Sequence, residues 1–270
     1  MPDAAVTAGE APAVDAHAHI FAAIPFAEDA HSRPAYDYPV EAYLADLDRH
    51  GITHGVIAAA SLFGTCNDYT LAALDAHPNL RGTVILPPET GAPELRALAA
   101  RGVVGVRLVW RRLAELPDIG AEPWRGFLRR LADCGLHVEL LAGGARLPAL
   151  LPQFAQAGVE VVLDHFGVPS REAGAACAGM DATIRAVQDG RAWVKISAGF
   201  RLAPGVAEAC TERLLREAGP GRLLWGSDAP FVNHETQVDF AGAIDLYRRL
   251  VPDPETRRAI DRTALALYFK

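Results

Sequence analysis

The segment Val14-Asp15-Ala16-His17-Ala18-His19-Ile20-Phe21 is a short apolar run with two histidines separated by one residue. Side chains of an extended strand alternate between its two faces, so this spacing directs His17 and His19 to the same side. Two imidazoles at the end of one strand could hold a metal ion or polarise a carbonyl oxygen. The alternative is that both histidines merely lie near the N-terminus and have no chemical role.

This segment is the first of a series of apolar runs that alternate with helical patterns along the whole chain. Strands are predicted at 13–20, 55–60, 82–86, 104–109, 136–142, 159–164, 192–197 and 223–227. Helices with apolar residues at three- and four-residue spacing are predicted at 40–50, 68–76, 93–100, 124–133, 148–157, 181–188, 207–218, 239–251 and 255–268. Several strands are apolar on both faces, which is typical of a parallel sheet covered by helices.

Eight such units predict an α/β fold, a single (β/α)8 TIM barrel with an extra C-terminal helix. A doubly wound open sheet is the alternative, but no strand is followed by a G-x-G-x-x-G turn. We expect residues 13–270 to form the barrel and residues 1–12, rich in Ala, Gly and Pro, to form a flexible tail. The irregular segment 22–39 follows the first strand and is a candidate lid over the site.

Composition narrows the class of protein. The 270 residues are 50% hydrophobic and carry a formal net charge of -7, which argues against a nucleic-acid partner. The four cysteines form no C-x-x-C pair, so a structural zinc site or a disulfide framework is not indicated. No apolar run reaches the length of about 18 residues of a membrane helix, and no signal-peptide pattern opens the chain. We expect a cytoplasmic enzyme with no membrane partner; the oligomeric state is left open.

Polar side chains follow the predicted strands at their carboxyl ends, where barrels place their chemistry. They are His17 and His19 after the first strand, Ser61, Thr65 and Asn67 after the second, Arg107, Arg111 and Arg112 at the fourth, Asp164 and His165 after the sixth, Lys195, Ser197 and Arg201 at the seventh, and Ser227 and Asp228 after the eighth. Arg107 and Lys195 have an alternative role as buried ion-pair partners. The polar residues after the second strand could instead bind loop backbone groups.

The joint pattern of H-x-H, a later histidine and a final aspartate resembles the amidohydrolase superfamily. Within it, the chain resembles the branch of lactone hydrolases similar to 2-pyrone-4,6-dicarboxylate lactonase. The segments that carry this resemblance cover nearly the whole chain and are Asp15–His19, Ala60–Thr65, Gly105–Leu108, Leu163–Gly167, Trp193–Ser197 and Leu224–Pro230.

The resemblance implies a role for each matching residue. Asp228 matches the general base for the attacking water, and His17, His19 and His165 match the histidines that polarise the carbonyl and stabilise its oxyanion. The expected substrate contacts are arginines that bind carboxylates and polar residues of two loops, namely Arg107, Arg112, Arg201, Ser61, Thr65, Asn67 and Tyr36 or Tyr38.

Departures from the superfamily pattern bear on metal and substrate. Fully metal-dependent members place Lys or Glu on strand four and His at the end of strand five, whereas this chain has Arg107 and an early His137. We therefore expect that no cofactor is required. One zinc ion held by His17, His19 and Asp228 remains the alternative. No arginine follows Gly167 directly, which predicts a small-molecule substrate less anionic than the pyrone dicarboxylate, or of different shape.

These observations predict a hydrolase that opens a carboxylated lactone or a pyrone-type cyclic ester. Three alternatives remain at this level. The first is a metal-dependent, non-oxidative decarboxylase of the same superfamily, and the second is a sugar-acid lactonase. The third is a barrel that binds a small molecule without turnover.

Overall fold

Eight parallel strands pair in chain order in the computed structural model, which describes residues 11–22 and 24–269. They are β1 Val14–Ala18, β2 His54–Ile57, β3 Leu80–Val84, β4 Val103–Val109, β5 His137–Leu141, β6 Val161–Leu163, β7 Ala192–Ser197 and β8 Leu223–Gly226. All eight predicted strands form.

Nine helices alternate with these strands in the described part of the chain. They are α1 Val40–Arg49, α2 Asp68–Ala76, α3 Ala92–Ala100, α4 Trp124–Asp133, α5 Leu147–Ala157, α6 Ala178–Gln188, α7 Val206–Glu217, α8 Phe240–Leu250 and α9 Pro254–Tyr268. The predicted (β/α)8 barrel with an extra C-terminal helix is confirmed.

The last strand pairs with the first and closes the barrel at residues that the sequence predicts to be catalytic. The amide of Asp228 donates to the carbonyl of His17, and the amide of His19 donates to the carbonyl of Ala229, both at 2.8 Å. The carboxylate of Asp15 reinforces this seam, since it accepts hydrogen bonds from the amide and the hydroxyl of Ser227 at 2.8 and 2.6 Å. Barrel closure therefore sets the distance between the two histidines of β1 and Asp228.

The opposite end of the barrel is sealed by α9. Ala264 and Tyr268 pack on an apolar cluster from the amino ends of the strands, which contains Val14, Ala16, Val56, Val162, Trp193 and Leu224. Asp253 caps α9 by accepting hydrogen bonds from the amides of Glu255 and Thr256. Access to the barrel interior is thus left to the carboxyl ends of the strands.

Two further expectations concern the regions outside the barrel. Most of the predicted tail, residues 1–12, lies outside the described residues, and so does Ala23 in the candidate lid. The described part of segment 22–39 is irregular, apart from a backbone bridge between Phe21 and Tyr38. Among residues 11–22 and 24–269, no helix has the length and apolarity needed to cross a membrane.

Candidate active site

Three imidazoles surround one carboxylate oxygen at the carboxyl end of the barrel. The Nε2 atoms of His17, His19 and His165 lie 3.5, 3.6 and 3.8 Å from Oδ1 of Asp228. The ring centroids of His19 and His165 lie 4.9 and 4.8 Å from that of His17. The four residues predicted to form a catalytic set are therefore brought together, although the sequence places them up to about two hundred residues apart.

Two members of this set have unusual backbone conformations. His165 has φ of 50° and Asp228 has φ of 65°, in the left-handed region that non-glycine residues rarely occupy. Such a conformation costs on the order of 1–3 kcal/mol and is concentrated at functional sites. It turns both side chains from the strand ends towards the barrel axis. Strand periodicity carries no signal for this turn.

Asp228 is held in its charged form by its neighbours. Burial alone would raise the pKa of Asp228, but the neighbouring His165 and His19 and the guanidinium of Arg201 together keep it well below its ordinary value. The Arg201 Nε donates to Oδ2 of Asp228 at 2.7 Å, and its Nη1 donates to the carbonyl of Val232. Asp228 is a carboxylate at neutral pH and can accept a proton.

His17 and His165 are neutral at pH 7. Burial and the positive charge of Lys195 hold the pKa of His17 well below its ordinary value. Burial lowers the pKa of His165 to about 4, against the opposing charge of Asp228. A neutral imidazole carries one N–H proton, on either Nδ1 or Nε2. The hydrogen-bond partner of Nδ1 therefore decides whether Nε2 faces the site with a proton or with a lone pair.

His19 is the clearest case because its Nδ1 faces a backbone carbonyl. The distance from Nδ1 to the carbonyl oxygen of Ala58 is 2.8 Å, and a carbonyl can only accept. A neutral His19 therefore carries its proton on Nδ1 and presents a lone pair at Nε2. The predicted role of His19 as a hydrogen-bond donor to the oxyanion would require a charged ring. His165 differs, since its Nδ1 lies 2.8 Å from the hydroxyl of Ser197, which can donate.

A cluster of four charged side chains lies beneath the histidines inside the barrel. Arg107, Glu139, Asp164 and Lys195 are at most 3% exposed. Arg107 donates to Asp164 Oδ2 through Nε and Nη2 at 3.1 and 2.9 Å and to the carbonyl of Ala59 at 2.7 Å. Its Nε also lies 3.0 Å from Glu139 Oε1. This geometry favours an ion-pair role for Arg107 over the predicted contact with a substrate carboxylate.

The rim of the site is cationic. Arg111 and Arg112 are exposed after β4, and Arg171 is exposed after β6. Partial burial lowers the pKa of Arg111, and repulsion from Arg112, Arg201 and Arg171 lowers it further, which shows that these guanidinium groups share one region. Of the three arginines predicted to bind carboxylates, Arg112 and Arg201 border this region and Arg107 lies below it. Arg111 was placed after the fourth strand but not among the expected substrate contacts, and Arg171 was overlooked.

The predicted loop contacts are divided between the rim and the barrel wall. Tyr36 is 37% exposed, and its hydroxyl donates to Glu235 Oε1 of the segment after β8 at 2.8 Å. Asn67 exchanges hydrogen bonds with both the amide and the carbonyl of Ile85 and so ends β3, which is the backbone role left open for it. Ser61 is half-buried in a short turn, and Thr65 is exposed.

The histidine–aspartate set has the spacing of a metal site. His17, His19 and Asp228 form one possible ligand group, and His17, Asp164 and His165 form another. Two ligands about 2.0–2.1 Å from a tetrahedral zinc ion lie roughly 3.4 Å apart, close to the separations around Asp228 Oδ1. A neutral His19 would present the required lone pair, and the buried Nε2 of His17 has no hydrogen-bond partner among the described residues. In spacing, the residues fit one metal ion.

Comparison with known proteins identifies the family. The profile of the amidohydrolase family matches residues 14–270. The chain belongs to the amidohydrolase family. This amidohydrolase is 28% identical over 269 residues to 4-sulfomuconolactone hydrolase from Rhizobium radiobacter, an alignment that covers 91% of this chain and 86% of the relative.

Solved structures of amidohydrolases extend the comparison. One is a probable 2-pyrone-4,6-dicarboxylic acid hydrolase from Acinetobacter baumannii with citric acid bound, which is 30% identical with a TM-score of 0.90. That match covers 95% of this chain and 99% of the other. An amidohydrolase from Burkholderia multivorans with bound zinc is 20% identical with a TM-score of 0.78, covers 96% of this chain and 99% of the other, and shows the shared fold alone.

These findings confirm the predicted membership in the amidohydrolase superfamily and the predicted likeness to lactone hydrolases. A hydrolase was expected, and the named relatives are hydrolases. The role of each site residue stays a prediction. The partners of the histidine Nδ1 atoms could not be predicted, because they are a backbone carbonyl and side chains of a distant strand.

Proposed function

We propose that the protein hydrolyses a lactone or pyrone-type cyclic ester that carries at least one anionic group. The observation that carries this proposal is the ring of three imidazole Nε2 atoms around Oδ1 of the charged Asp228. The carboxylate can take a proton from water. Neutral imidazoles that donate from Nε2 can stabilise the oxyanion formed from an ester carbonyl.

The cationic rim supports an anionic substrate. Arg111, Arg112 and Arg171 lie together on a chain whose overall charge is -7. Guanidinium groups bind carboxylates and sulfonates through paired hydrogen bonds. The named relatives act on a sulfonated lactone and a pyrone dicarboxylate, and the solved relative holds citric acid. Six cations border or underlie the site, which favours an anionic substrate over the less anionic one that the sequence predicted.

The proposed reaction begins with water bound between Asp228 and His19. Asp228 takes one proton from this water, and the lone pair at Nε2 of His19 accepts a hydrogen bond from the same molecule. The water oxygen attacks the ring carbonyl, whose oxygen becomes negatively charged. His17 and His165 stabilise that charge by donation from Nε2. When the ring C–O bond breaks, the leaving oxygen takes the proton from Asp228, and a ring-opened acid is released.

A metal ion is compatible with this site but is not required by the proposed steps. His17, His19 and Asp228 would hold it, as the sequence suggested, and zinc is the candidate because the ligands are nitrogen and oxygen atoms at tetrahedral spacing. When bound, such an ion would polarise the carbonyl and lower the pKa of a bound water.

Purified, chelator-treated protein tests the proposal against a panel of cyclic esters. The panel contains 2-pyrone-4,6-dicarboxylate, 4-sulfomuconolactone, a monocarboxylated muconolactone and an uncharged sugar lactone. We expect ring opening of at least one anionic member and none of the uncharged lactone. Turnover of the sugar lactone alone would favour the sugar-acid lactonase. If no panel compound is hydrolysed, either before or after addition of zinc or manganese, the result would contradict lactone hydrolysis and favour decarboxylation or binding without turnover.

Asp228→Asn is the matched test of the catalytic base. The amide keeps the size of the side chain but cannot take the proton, and general base catalysis contributes on the order of 10²–10⁴-fold to a rate. We expect kcat to fall by at least about 10²-fold while the circular dichroism spectrum and the melting temperature stay close to those of the wild type. A variant that folds and keeps most of its turnover would show that Asp228 is not the base.

A further inference from the structure

Lys195 is a buried cation that the proposed steps do not use. Its side chain is 0% exposed within the barrel. Its Nζ lies 2.6 Å from Glu139 Oε2, 3.0 Å from His17 Nδ1 and 3.3 Å from Asp164 Oδ1. A lysine ammonium has three protons to donate and accepts no hydrogen bond. Each of its three N–H groups therefore needs an acceptor in the buried site, and His17 Nδ1 is one of the three nearby candidates.

The contact between Lys195 and His17 favours one tautomer of His17 over the other. Because the ammonium can only donate, Nδ1 of His17 must accept, and the proton of a neutral ring is then on Nε2. Asp164 Oδ1 lies 3.2 Å from the same Nδ1 and would favour the opposite tautomer. However, Asp164 Oδ1 accepts no well-directed hydrogen bond from any described residue. The directed interaction at Nδ1 is the one from Lys195.

The two tautomers of His17 would make two different sites. With its proton on Nε2, His17 donates towards Asp228 Oδ1 and towards the carbonyl oxygen of a bound ester. With its proton on Nδ1 and directed at Asp164, His17 would present a lone pair at Nε2, beside the lone pair of His19. A carboxylate that accepts from a histidine in this way is the usual support for a metal-bound imidazole.

We propose that Lys195 is a positioning residue that holds His17 as an Nε2–H donor and so favours metal-free carbonyl polarisation over metal binding. Glu139 orients the ammonium through the hydrogen bond of 2.6 Å, and Arg107 orients Glu139 from the other side. This inference rests on the proposed lactone hydrolysis only for its catalytic consequence, since the tautomer and the metal affinity exist without substrate.

The first test reads the tautomer directly in metal-free wild-type protein. Histidine labelled with ¹⁵N in the ring distinguishes protonated from unprotonated nitrogens by long-range ¹⁵N–¹H correlation spectra, and a His17→Gln variant identifies the signals of His17. We expect the proton of His17 on Nε2 and that of His19 on Nδ1. A proton on Nδ1 of His17 at neutral pH would overturn the proposal without any variant at position 195.

The second test removes the ammonium together with its paired charge. Lys195→Met combined with Glu139→Gln keeps the side-chain volumes and leaves Arg107 and Asp164 as a balanced pair. Glu139→Gln alone is the matched control because it retains Lys195. We expect the proton of His17 to move to Nδ1 in the double variant, and zinc affinity, measured by competition with a chelator, to rise by roughly 10-fold or more over the control.

The outcomes separate this inference from the proposed function. Tighter zinc binding with the proton of His17 unmoved would show that Lys195 acts by charge repulsion alone and would overturn the assignment. Unchanged or weaker zinc binding would overturn it as well. Chelator-treated double variant should also lose ring-opening activity by on the order of 10²-fold, as expected for one lost oxyanion donor. If no lactone is turned over even by the wild type, the spectra and the zinc titration still decide the role of Lys195.

Discussion

At the scale of single residues, the chemistry of each histidine depends on the atom behind it. His17, His19 and His165 present the same Nε2 atom to Asp228, yet their Nδ1 atoms face an ammonium, a carbonyl and a hydroxyl. The H-x-H spacing predicts that two rings converge, because strand geometry fixes direction. The spacing cannot predict the protonation of each ring, since the partners are the backbone carbonyl of Ala58, just after β2, and side chains of β7.

Arg112 offers a test of the cationic rim at this scale. Its side chain is exposed, so Arg112→Ala should leave the fold intact while weakening the attraction of an anionic ester. An exposed ion pair contributes up to about 1 kcal/mol, so kcat/KM for a carboxylated lactone should fall by roughly two- to fivefold, mainly through KM. The loss should shrink at high salt.

Arg96→Ala is the matched control for Arg112→Ala. Arg96 is also an exposed arginine, but it lies on α3 at the outside of the barrel. An equal loss of kcat/KM in both variants would attribute the effect to overall charge and not to the rim. Steady-state kinetics at two ionic strengths provide the comparison.

At the scale of helices and strands, the apolar periodicity predicts most bounds to within about one residue. The exceptions have local causes that propensity does not contain. The strand predicted to end at Leu86 ends at Val84, because Asn67 binds both backbone groups of Ile85. The helix predicted to begin at Asp181 begins at Ala178, where the Cys177 sulfur accepts from the amide of Met180. Cysteine is not a usual helix cap, so the sequence carried no signal for it.

Two side-chain hydrogen bonds join the segment after β1 to the segment after β8, and the longer one runs from the Ser32 hydroxyl to Asn233 Oδ1 at 3.3 Å. Tyr36 donates to Glu235 at 2.8 Å, and both lie at the surface. Tyr36→Phe should therefore change the free energy of unfolding by less than about 1 kcal/mol. It should increase amide hydrogen exchange in residues 30–38 and 233–237, because the two segments lose the shorter of their two side-chain hydrogen bonds.

Tyr38→Phe controls for the loss of any tyrosine hydroxyl in the same segment. The Tyr38 hydroxyl donates to Asp46 of α1 at 2.7 Å and makes no link to the segment after β8. If Tyr38→Phe accelerates exchange at 233–237 as much as Tyr36→Phe does, the hydrogen bond to Glu235 does not hold the two segments together. Hydrogen exchange followed by mass spectrometry measures both.

At the scale of the whole molecule, the barrel buries titratable groups whose charged forms it disfavours. Burial, with Lys195, lowers the pKa of His137 to about 3, and burial lowers that of His165 to about 4. Unfolded histidines bind protons below about pH 6.5, so the stability from these neutral rings is complete above that pH and is lost as the pH falls. Burial raises the pKa of Asp15 to about 6, which opposes part of this loss below that pH.

His137→Leu tests this pH dependence away from the catalytic residues. The ring of His137 lies at the start of β5 against Tyr268, and its buried Nε2 has no hydrogen-bond partner among the described residues. Near pH 5, each proton taken up only on unfolding costs about 1.4 kcal/mol per pH unit. The variant should show a slope of stability against pH that is shallower by about this amount, measured by urea unfolding between pH 4.5 and 6.5. Identical slopes would show that His137 does not titrate on unfolding.

The architecture of the whole barrel could be predicted from sequence because eight repeated units leave few alternatives. The pairing within the buried charged cluster could not be predicted from the sequence. Whether Arg107 and Lys195 meet a substrate or a carboxylate depends on which side chains cross the barrel axis, and Glu139 and Asp164 come from other strands. Residues that pair across the barrel axis are not separated by a characteristic number of residues, so no sequence pattern indicates which of them will meet.

The balance of two cations and two anions in that cluster has a consequence for how the enzyme can diversify. Removing one member of a buried ion pair costs about 3–5 kcal/mol, a large share of the stability of a typical domain. Substitutions at Arg107, Glu139, Asp164 or Lys195 should therefore be tolerated only when one cation and one anion are replaced together. The exposed rim carries no such constraint. A laboratory selection for new esters should accumulate its substitutions around Arg111, Arg112 and Arg171 and leave the charges below them untouched.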